Sequence, residues 1–313
     1  MSAAAAPRRR IVVIVNPHAA SIDARLARIV VGALQSRYDV DAVATETPGH
    51  ATGLAGAAAR SGADAVVTIG GDGTVNEAAN ALVEHHVPLF PLPGGSQNVF
   101  AKMLGIPHDL VDAAQRLLAL DDDWPVRHVD VGRVNGRAFT FSAGVGLDAS
   151  VVERVDAHPA RKARWRQLYY MESAAVVLAR DYVVRPPRFI AEAEGRDPVR
   201  GITVLVQNSD PYTYSGTRPI RVCTDVSLES GTLSAAVLRR TPTLTAPALA
   251  ARLLSPHLET TNARKITSLP AVSALTVRRA DDAPFVVQVD GDALAPMDRA
   301  QFDVLPGALP VLA

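Results

Sequence analysis

From Ile11 to Leu120 the chain alternates two textures, and this alternation limits its fold more than any other feature. Short β-branched runs occur at Ile11–Val15, Asp39–Ala44, Ala65–Ile69 and Pro88–Leu92. Between and after them lie alanine-rich stretches with helical character at Ile22–Ser36, His50–Arg60, Asn76–Glu84, Val99–Leu104 and Leu110–Leu120. Strands of near-continuous hydrophobicity are buried on both faces, so each run predicts a parallel strand with helices covering the sheet. In such sheets ligands bind at the carboxyl ends of the strands. Asn16-Pro17, Gly70–Thr74 and Pro93–Asn98 fall at those ends.

Asp121-Asp122-Asp123-Trp124-Pro125 reads as a surface linker, a charge run closed by a proline that disfavours helix before it. Beyond it the texture changes. Strand-like runs at Val126–Val134, Ala138–Phe141, Phe189–Ala193, Ile202–Gln207, Thr232–Leu238, Leu275–Arg278 and Phe285–Val289 are separated by turn residues. Helical periods remain at Ala160–Arg180 and Pro247–Leu254. The fold class is therefore α/β: an N-terminal doubly wound, mostly parallel α/β domain, then a C-terminal antiparallel β-sandwich domain.

Lys plus Arg and Asp plus Glu both number 32, so the formal charge is zero and no long-range field draws the chain to nucleic acid. Cys223 is the single cysteine, which excludes an internal disulfide and fits a reducing compartment. No apolar run approaches the roughly 20 residues of a membrane-spanning helix, so no transmembrane segment is expected. Arg8-Arg9-Arg10 is followed only by the short run Ile11–Val15, too brief for a signal-peptide core. The reading is a cytoplasmic protein with a disordered tail over residues 1–10, meeting any membrane at its surface.

Gly70-Gly71-Asp72-Gly73-Thr74 follows one strand and leads into a helical stretch beginning near Val75. Glycines let backbone N–H groups turn toward a phosphate, and a helix N-terminus adds partial positive charge. A carboxylate inside such a turn repels phosphate unless it holds a cation, which makes Asp72 a candidate Mg²⁺ contact. The plainer reading is a tight strand-to-helix turn. A second glycine turn, Pro93-Gly94-Gly95-Ser96-Gln97-Asn98, follows the next strand and opens another helix. Neither a P-loop pattern nor a complete dinucleotide fingerprint is present.

Taken in order, these motifs resemble the diacylglycerol kinase catalytic domain, a bacterial lipid kinase family related to sphingosine and ceramide kinases. The resemblance rests on Asn16-Pro17, Gly70–Glu77 and Pro93–Asn98. Later landmarks are Gly144–Ala149, Asn208 with Tyr214 and Gly216, and Asp290-Gly291-Asp292. It implies a nucleotide domain over residues 11–125, a substrate domain over 126–295 and a segment, 296–313, returning to the first domain. By the same resemblance Asn16, Thr45, Gly70, Gly71, Asp72, Gly73, Thr74, Asn76, Gly95 and Ser96 bind ATP. Asp72 and Asp130 belong to the carboxylate network around Mg²⁺, and Asp292 takes the place of the catalytic base beside Asp72. The implied activity is transfer of the γ-phosphoryl of ATP to diacylglycerol, giving phosphatidic acid. The lipid substrate is reached at the membrane surface, and a homodimer is compatible with the sequence. Other readings are a kinase for a sphingoid base or ceramide, an NAD kinase, or a lapsed kinase that binds nucleotide or lipid without turnover.

The chain departs from the family at three places. Asp292 stands where Glu is usual, Val99 where an aspartate follows the loop asparagine, and Ser230 where an aspartate helps hold a structural Mg²⁺. Arg161–Tyr170 mixes basic and aromatic residues in the manner of a lipid-facing helix, though a solvated helix with inward aromatics is the commoner case. Glu84-His85-His86 reads as a helix end, because adjacent histidines diverge by about 100° on a helix.

Overall fold

The computed structural model describes residues 8–19, 23–120, 122–156, 188–215, 218–223, 225–239 and 266–313. The expected helices at Ala160–Arg180 and Pro247–Leu254, the basic-aromatic stretch Arg161–Tyr170, and Gly216 lie outside these residues. The chain divides into two compact units: Met1–Val129 with Ala308–Ala313, and Asp130–Gly307.

The first unit is built from β1 (Arg10–Val15), α1 (Ala24–Leu34), β2 (Asp39–Ala44), α2 (His50–Arg60), β3 (Ala65–Gly70), α3 (Asp72–Leu82), β4 (Leu89–Pro93), α4 (Val99–Met103) and α5 (Leu110–Leu118). Its strands lie in the order β2-β1-β3-β4, all parallel. β3 and β4 are buried at every residue and β1 at its four central ones, as continuous apolar runs require of a sheet covered on both faces. β2 is the edge strand and much of it is exposed. On the other side of β4, Val311 pairs in parallel with Leu89, and Leu309, Val311 and Leu312 are fully buried.

Two expectations shift. α3 begins at Asp72 rather than near Val75, because Gly71 is its N-cap and Val75 N donates to Gly71 O at 3.1 Å. The glycine motif is thus the first helical turn, not a loop before it. Trp124, expected in an exposed linker, packs edge-on against Tyr38 with ring centroids 5.9 Å apart, and the Arg9 guanidinium lies 4.2 Å above its ring. Tyr38 in turn donates its hydroxyl to Leu117 O at 2.8 Å.

The second unit takes its strands from β5 (Val126–Val134), β6 (Arg137–Phe139), β7 (Ser142–Gly146), β8 (Phe189–Ala193), β9 (Val199–Gly201), β10 (Thr203–Gln207), β11 (Thr213–Ser215), β12 (Arg218–Ile220), β13 (Leu233–Leu238), β14 (Ile266–Val272), β15 (Ala274–Arg279), β16 (Val287–Val289), β17 (Asp292–Ala293) and β18 (Arg299–Leu312), with α6 (Leu147–Asp156) after β7. One antiparallel sheet runs β14-β13-β10-β7-β16-β17. Facing it, β18, β15, β8 and β9 pair antiparallel in that order, with β5 beside β18 and β6 beside β5. The core between them draws Val145, Val204 and Ala235 from one sheet and Ala191, Leu275, Val277 and Phe302 from the other. Phe139–Phe302 and Phe189–Phe285 meet edge-to-face at 6.4 and 5.3 Å. This is a sandwich of alternating inward side chains, as the sequence pattern requires.

Among the described residues no helix is long and apolar enough to cross a membrane. Cys223 is fully buried beside Val222, Val226 and Ala236, and burial pushes its thiol well above the ordinary range, with the Asp210 carboxylate adding to the effect. Since the thiolate is the reactive form, native protein should resist a disulfide reagent at mildly alkaline pH and react fully in guanidinium. Rapid labelling of the folded chain would contradict this packing.

Candidate functional site

Four adjacent parallel strands deliver the predicted nucleotide residues to one edge of the first unit. Asn16 follows β1, Thr45 follows β2, Gly70-Gly71 end β3, and Gly94-Gly95 follow β4. Hydrogen bonds knit these ends together. Asn16 N donates to Ile69 O at 2.9 Å, Thr45 N to Val15 O at 2.8 Å, and Gly94 N to Gly70 O at 2.8 Å. The Asn16 amide Nδ2 donates to Thr74 Oγ1 at 3.0 Å, while its Oδ1 accepts from His18 N. Thr74 is buried and its hydroxyl is thereby held over the start of α3.

The two glycine turns touch through their main chains. A Cβ built on Gly95 would sit 2.6 Å from Gly71 Cα, and one on Gly71 would sit 3.3 Å from Gly95 Cα. Position 95 must therefore be glycine for the turns to meet, and position 71 leaves a side chain little room. The second turn is further closed by Asn98, which has φ 49° and bonds Gly95 twice: Gly95 N to Oδ1 and Nδ2 to Gly95 O, both at 2.8 Å. Against Gly70, Gly71 and Asp72 lies a small, mostly apolar void whose other walls include Val75, Leu92 and Ala101.

α3 presents its N-terminus here with no cap from a side chain, since Gly71 has none. The first-turn N–H groups of a helix have no acceptor inside it and carry its positive end, a combination suited to phosphate. Asp72 occupies the first helical position, half-buried, and its Oδ1 accepts from Phe100 N at 3.1 Å. Lys102 lies within electrostatic reach of that carboxylate. Burial lowers the pKa of its ammonium, and Asp72 acts in the opposite direction. Sequence reasoning passed over Lys102; its place four residues after Asn98, one turn along α4, is the signal that points to it. Ser96 is exposed on the second turn. Asn76 lies deeper, 1% exposed, with its Oδ1 accepting from Asn80 within α3.

Asp130 and Asp292 belong to the second unit. Both Asp130 oxygens accept backbone N–H groups, Oδ1 from Gly307 at 2.9 Å and Oδ2 from Gly231 at 2.5 Å. The turn it grips is the one with Ser230, whose hydroxyl lies 3.1 Å from Ser227 O and 3.2 Å from Thr232 O. Asp292 is exposed at the start of β17, opposite Val289. Asp290 and Gly291 form the two-residue loop between, with φ 49° and 92°, the left-handed pair that an Asp-Gly hairpin turn uses.

Asp290 does more than turn the chain. It is 6% exposed; Oδ2 accepts from Thr140 N at 2.6 Å and from Thr140 Oγ1 at 2.8 Å, and Oδ1 from Phe141 N and Ser142 N, both at 3.1 Å. Three consecutive main-chain N–H groups thus clamp the hairpin that carries Asp292.

Residues 10–134 match the family model described as the diacylglycerol kinase catalytic domain. Over 124 residues the chain is 36% identical to a diacylglycerol kinase of Bacillus subtilis (strain 168), a match covering 39% of this chain and 40% of that protein. It therefore aligns with less than half the length of that relative. With a diacylglycerol kinase of Mycobacterium tuberculosis (strain ATCC 25618 / H37Rv) identity is 27% over 277 residues, covering 83% of this chain and 80% of the relative. A solved diacylglycerol kinase structure from Bacillus anthracis str. Sterne shares the fold with a TM-score of 0.70 and 21% identity over 97% of each chain. Another structure from that organism reaches 0.76 at 23% identity with the same coverage.

Three substitutions test this construction. Gly95→Ala should destabilise the protein by about 1–3 kcal/mol in chemical denaturation, because neither backbone can yield. Gly53→Ala, at an exposed position of α2 with nothing near the new methyl, should instead stabilise by about 0.5–1 kcal/mol. Asp290→Asn turns an NH₂ toward N–H donors and should cost about 1–3 kcal/mol; a wild-type unfolding curve would show that the clamp contributes nothing.

Proposed function

We propose that this chain, which resembles the bacterial diacylglycerol kinases and carries their catalytic-domain signature over residues 10–134, is an ATP-dependent lipid kinase with diacylglycerol as its acceptor. The observation that carries the reading is the contact of the two glycine turns beside the uncapped N-terminus of α3. Methyl-free backbone and helix-end N–H groups together suit a polyphosphate. Asp72, an oxygen donor at the edge of that cradle, fits a hard divalent cation such as Mg²⁺. Bound ATP–Mg²⁺ would supply the transferable γ-phosphoryl group and partial neutralisation of its charge.

The chain's own residues then have three tasks. Asn16 ties the end of β1 to β3 through Ile69 O and to the first turn of α3 through Thr74, so strand ends and helix start form one surface. Gly71 and Gly95 admit the phosphates to close main-chain contact, with Thr45 and Ser96 at the flanking turns. Asp292 accepts the proton of the acceptor hydroxyl, whose oxygen forms the new P–O bond as the bond to ADP breaks. Positioning of this kind is worth roughly 7–11 kcal/mol and a placed base about 10²–10⁴-fold. The hydrogen bonds of Asp130 to Gly231 and Gly307 support a role in holding loops, and a place for it in the Mg²⁺ network rests on the family resemblance alone.

Transfer of labelled γ-phosphate to diacylglycerol in mixed micelles tests the proposal, with sphingosine, ceramide and NAD as competing acceptors. Phosphatidic acid should form, and Asp72→Ala and Asp292→Asn should each lower the rate at least about 100-fold. Preference for another acceptor would reassign the substrate. Nucleotide binding with no transfer to any of them would favour a lapsed kinase.

A further inference from the structure

Glu77 lies one turn past the glycine motif, on the face of α3 that meets α2. Its carboxylate accepts from Gly49 N at 2.8 Å through Oε1 and from Ala51 N at 3.0 Å through Oε2. Its own carbonyl accepts from Thr52 Oγ1 at 2.9 Å. These donors belong to the start of α2, whose cap residue Gly49 has φ 84° and makes no side-chain cap. A helix start needs outside acceptors and favours negative charge. The cap of α2 is therefore supplied by α3.

The consequence reaches the segment 45–49 between β2 and α2. It is pinned at one end by Thr45 N donating to Val15 O, and at the other by Gly49 N donating to Glu77. Inside it Glu46 N donates to His50 Nδ1 at 3.1 Å. One helix thus offers its first turn to the glycine turns and, from its second turn, fixes the loop beside it. We propose that Glu77 is a positioning residue that holds 45–49, with Thr45, as a wall of the nucleotide site. The proposal rests on reading that site as nucleotide-binding. It requires a carboxylate, because each oxygen serves a different N–H; a glutamine keeps one acceptor and turns a donor toward the other.

Binding of a fluorescent ATP analogue, steady-state kinetics and amide hydrogen exchange test this on the full chain. Glu77→Gln should weaken analogue binding and raise KM for ATP about tenfold, with kcat changed less than about threefold. Exchange over 45–52 should quicken while that of β3 and α5 stays as in the parent. Glu77→Ala should go further in the same direction. A role in stability alone would lower the unfolding midpoint and leave KM and local exchange of the folded protein unmoved, which overturns the proposal. If the parent binds no nucleotide, the nucleotide reading falls and this proposal with it. If the parent binds and Glu77→Gln binds equally well, only the proposal falls.

Discussion

Contact between two main chains, Gly71 against Gly95, governs the candidate site. Adjacent parallel strands run side by side about 4.8 Å apart, and chains leaving them normally diverge to make room for side chains. Here β3 ends in glycine and Gly94-Gly95 follow directly on β4, so the exits close on each other and Gly94 N can bond Gly70 O. The start of α3 is fixed by the same closure, since Gly71 is its cap. Asn98, in a left-handed conformation, supports the arrangement from behind by bonding Gly95 at both ends of its amide. Strand ends, helix origin and second turn therefore form one rigid assembly of backbone, with few side chains free to disturb it.

Around this backbone the acidic residues fall into two kinds. Glu77, Asp130 and Asp290 each accept main-chain N–H groups on both carboxylate oxygens, and each ties down a turn distant in sequence. Asp72 and Asp292 sit at element starts, the first half-buried and the second exposed. A carboxylate satisfied by several N–H donors is a strong fastener, and removing it strands donors that cannot readily find water. Motif acids of the first kind are thus read most naturally through the loops they hold.

Much of the first unit was legible in the sequence. The runs of β1, β3 and β4 are continuous and apolar and lead into glycine or asparagine, and the expected strand Asp39–Ala44 and helix His50–Arg60 match the observed elements to the residue. The glycine turns were legible as phosphate-binding features because glycine marks close approach whatever its neighbours do. What escaped was non-local. β7, Ser142–Gly146, has a single β-branched residue, and it is a strand because β10 and β16 pair with it on both sides. α3 starts earlier than expected because a glycine cap leaves no side-chain signal. The partners of Glu77 and Asp290 lie 26 to 28 and 148 to 150 residues away, beyond any pattern of spacing. Trp124 was hidden in a charge run, and only the docking of Tyr38 and Arg9 explains its place.

The final strand has a further consequence, for the order of events during synthesis. Val311 pairs with Leu89, and Leu309, Val311 and Leu312 are sealed from water within the unit begun by the first residues. A nascent chain emerging from the ribosome must therefore make the whole of Asp130–Gly307 before the edge of its earliest sheet is covered. Until then β4 exposes an apolar, unpaired border of the kind that invites intermolecular pairing. Translation past residue 307 is in that sense a maturation step for the start of the polypeptide.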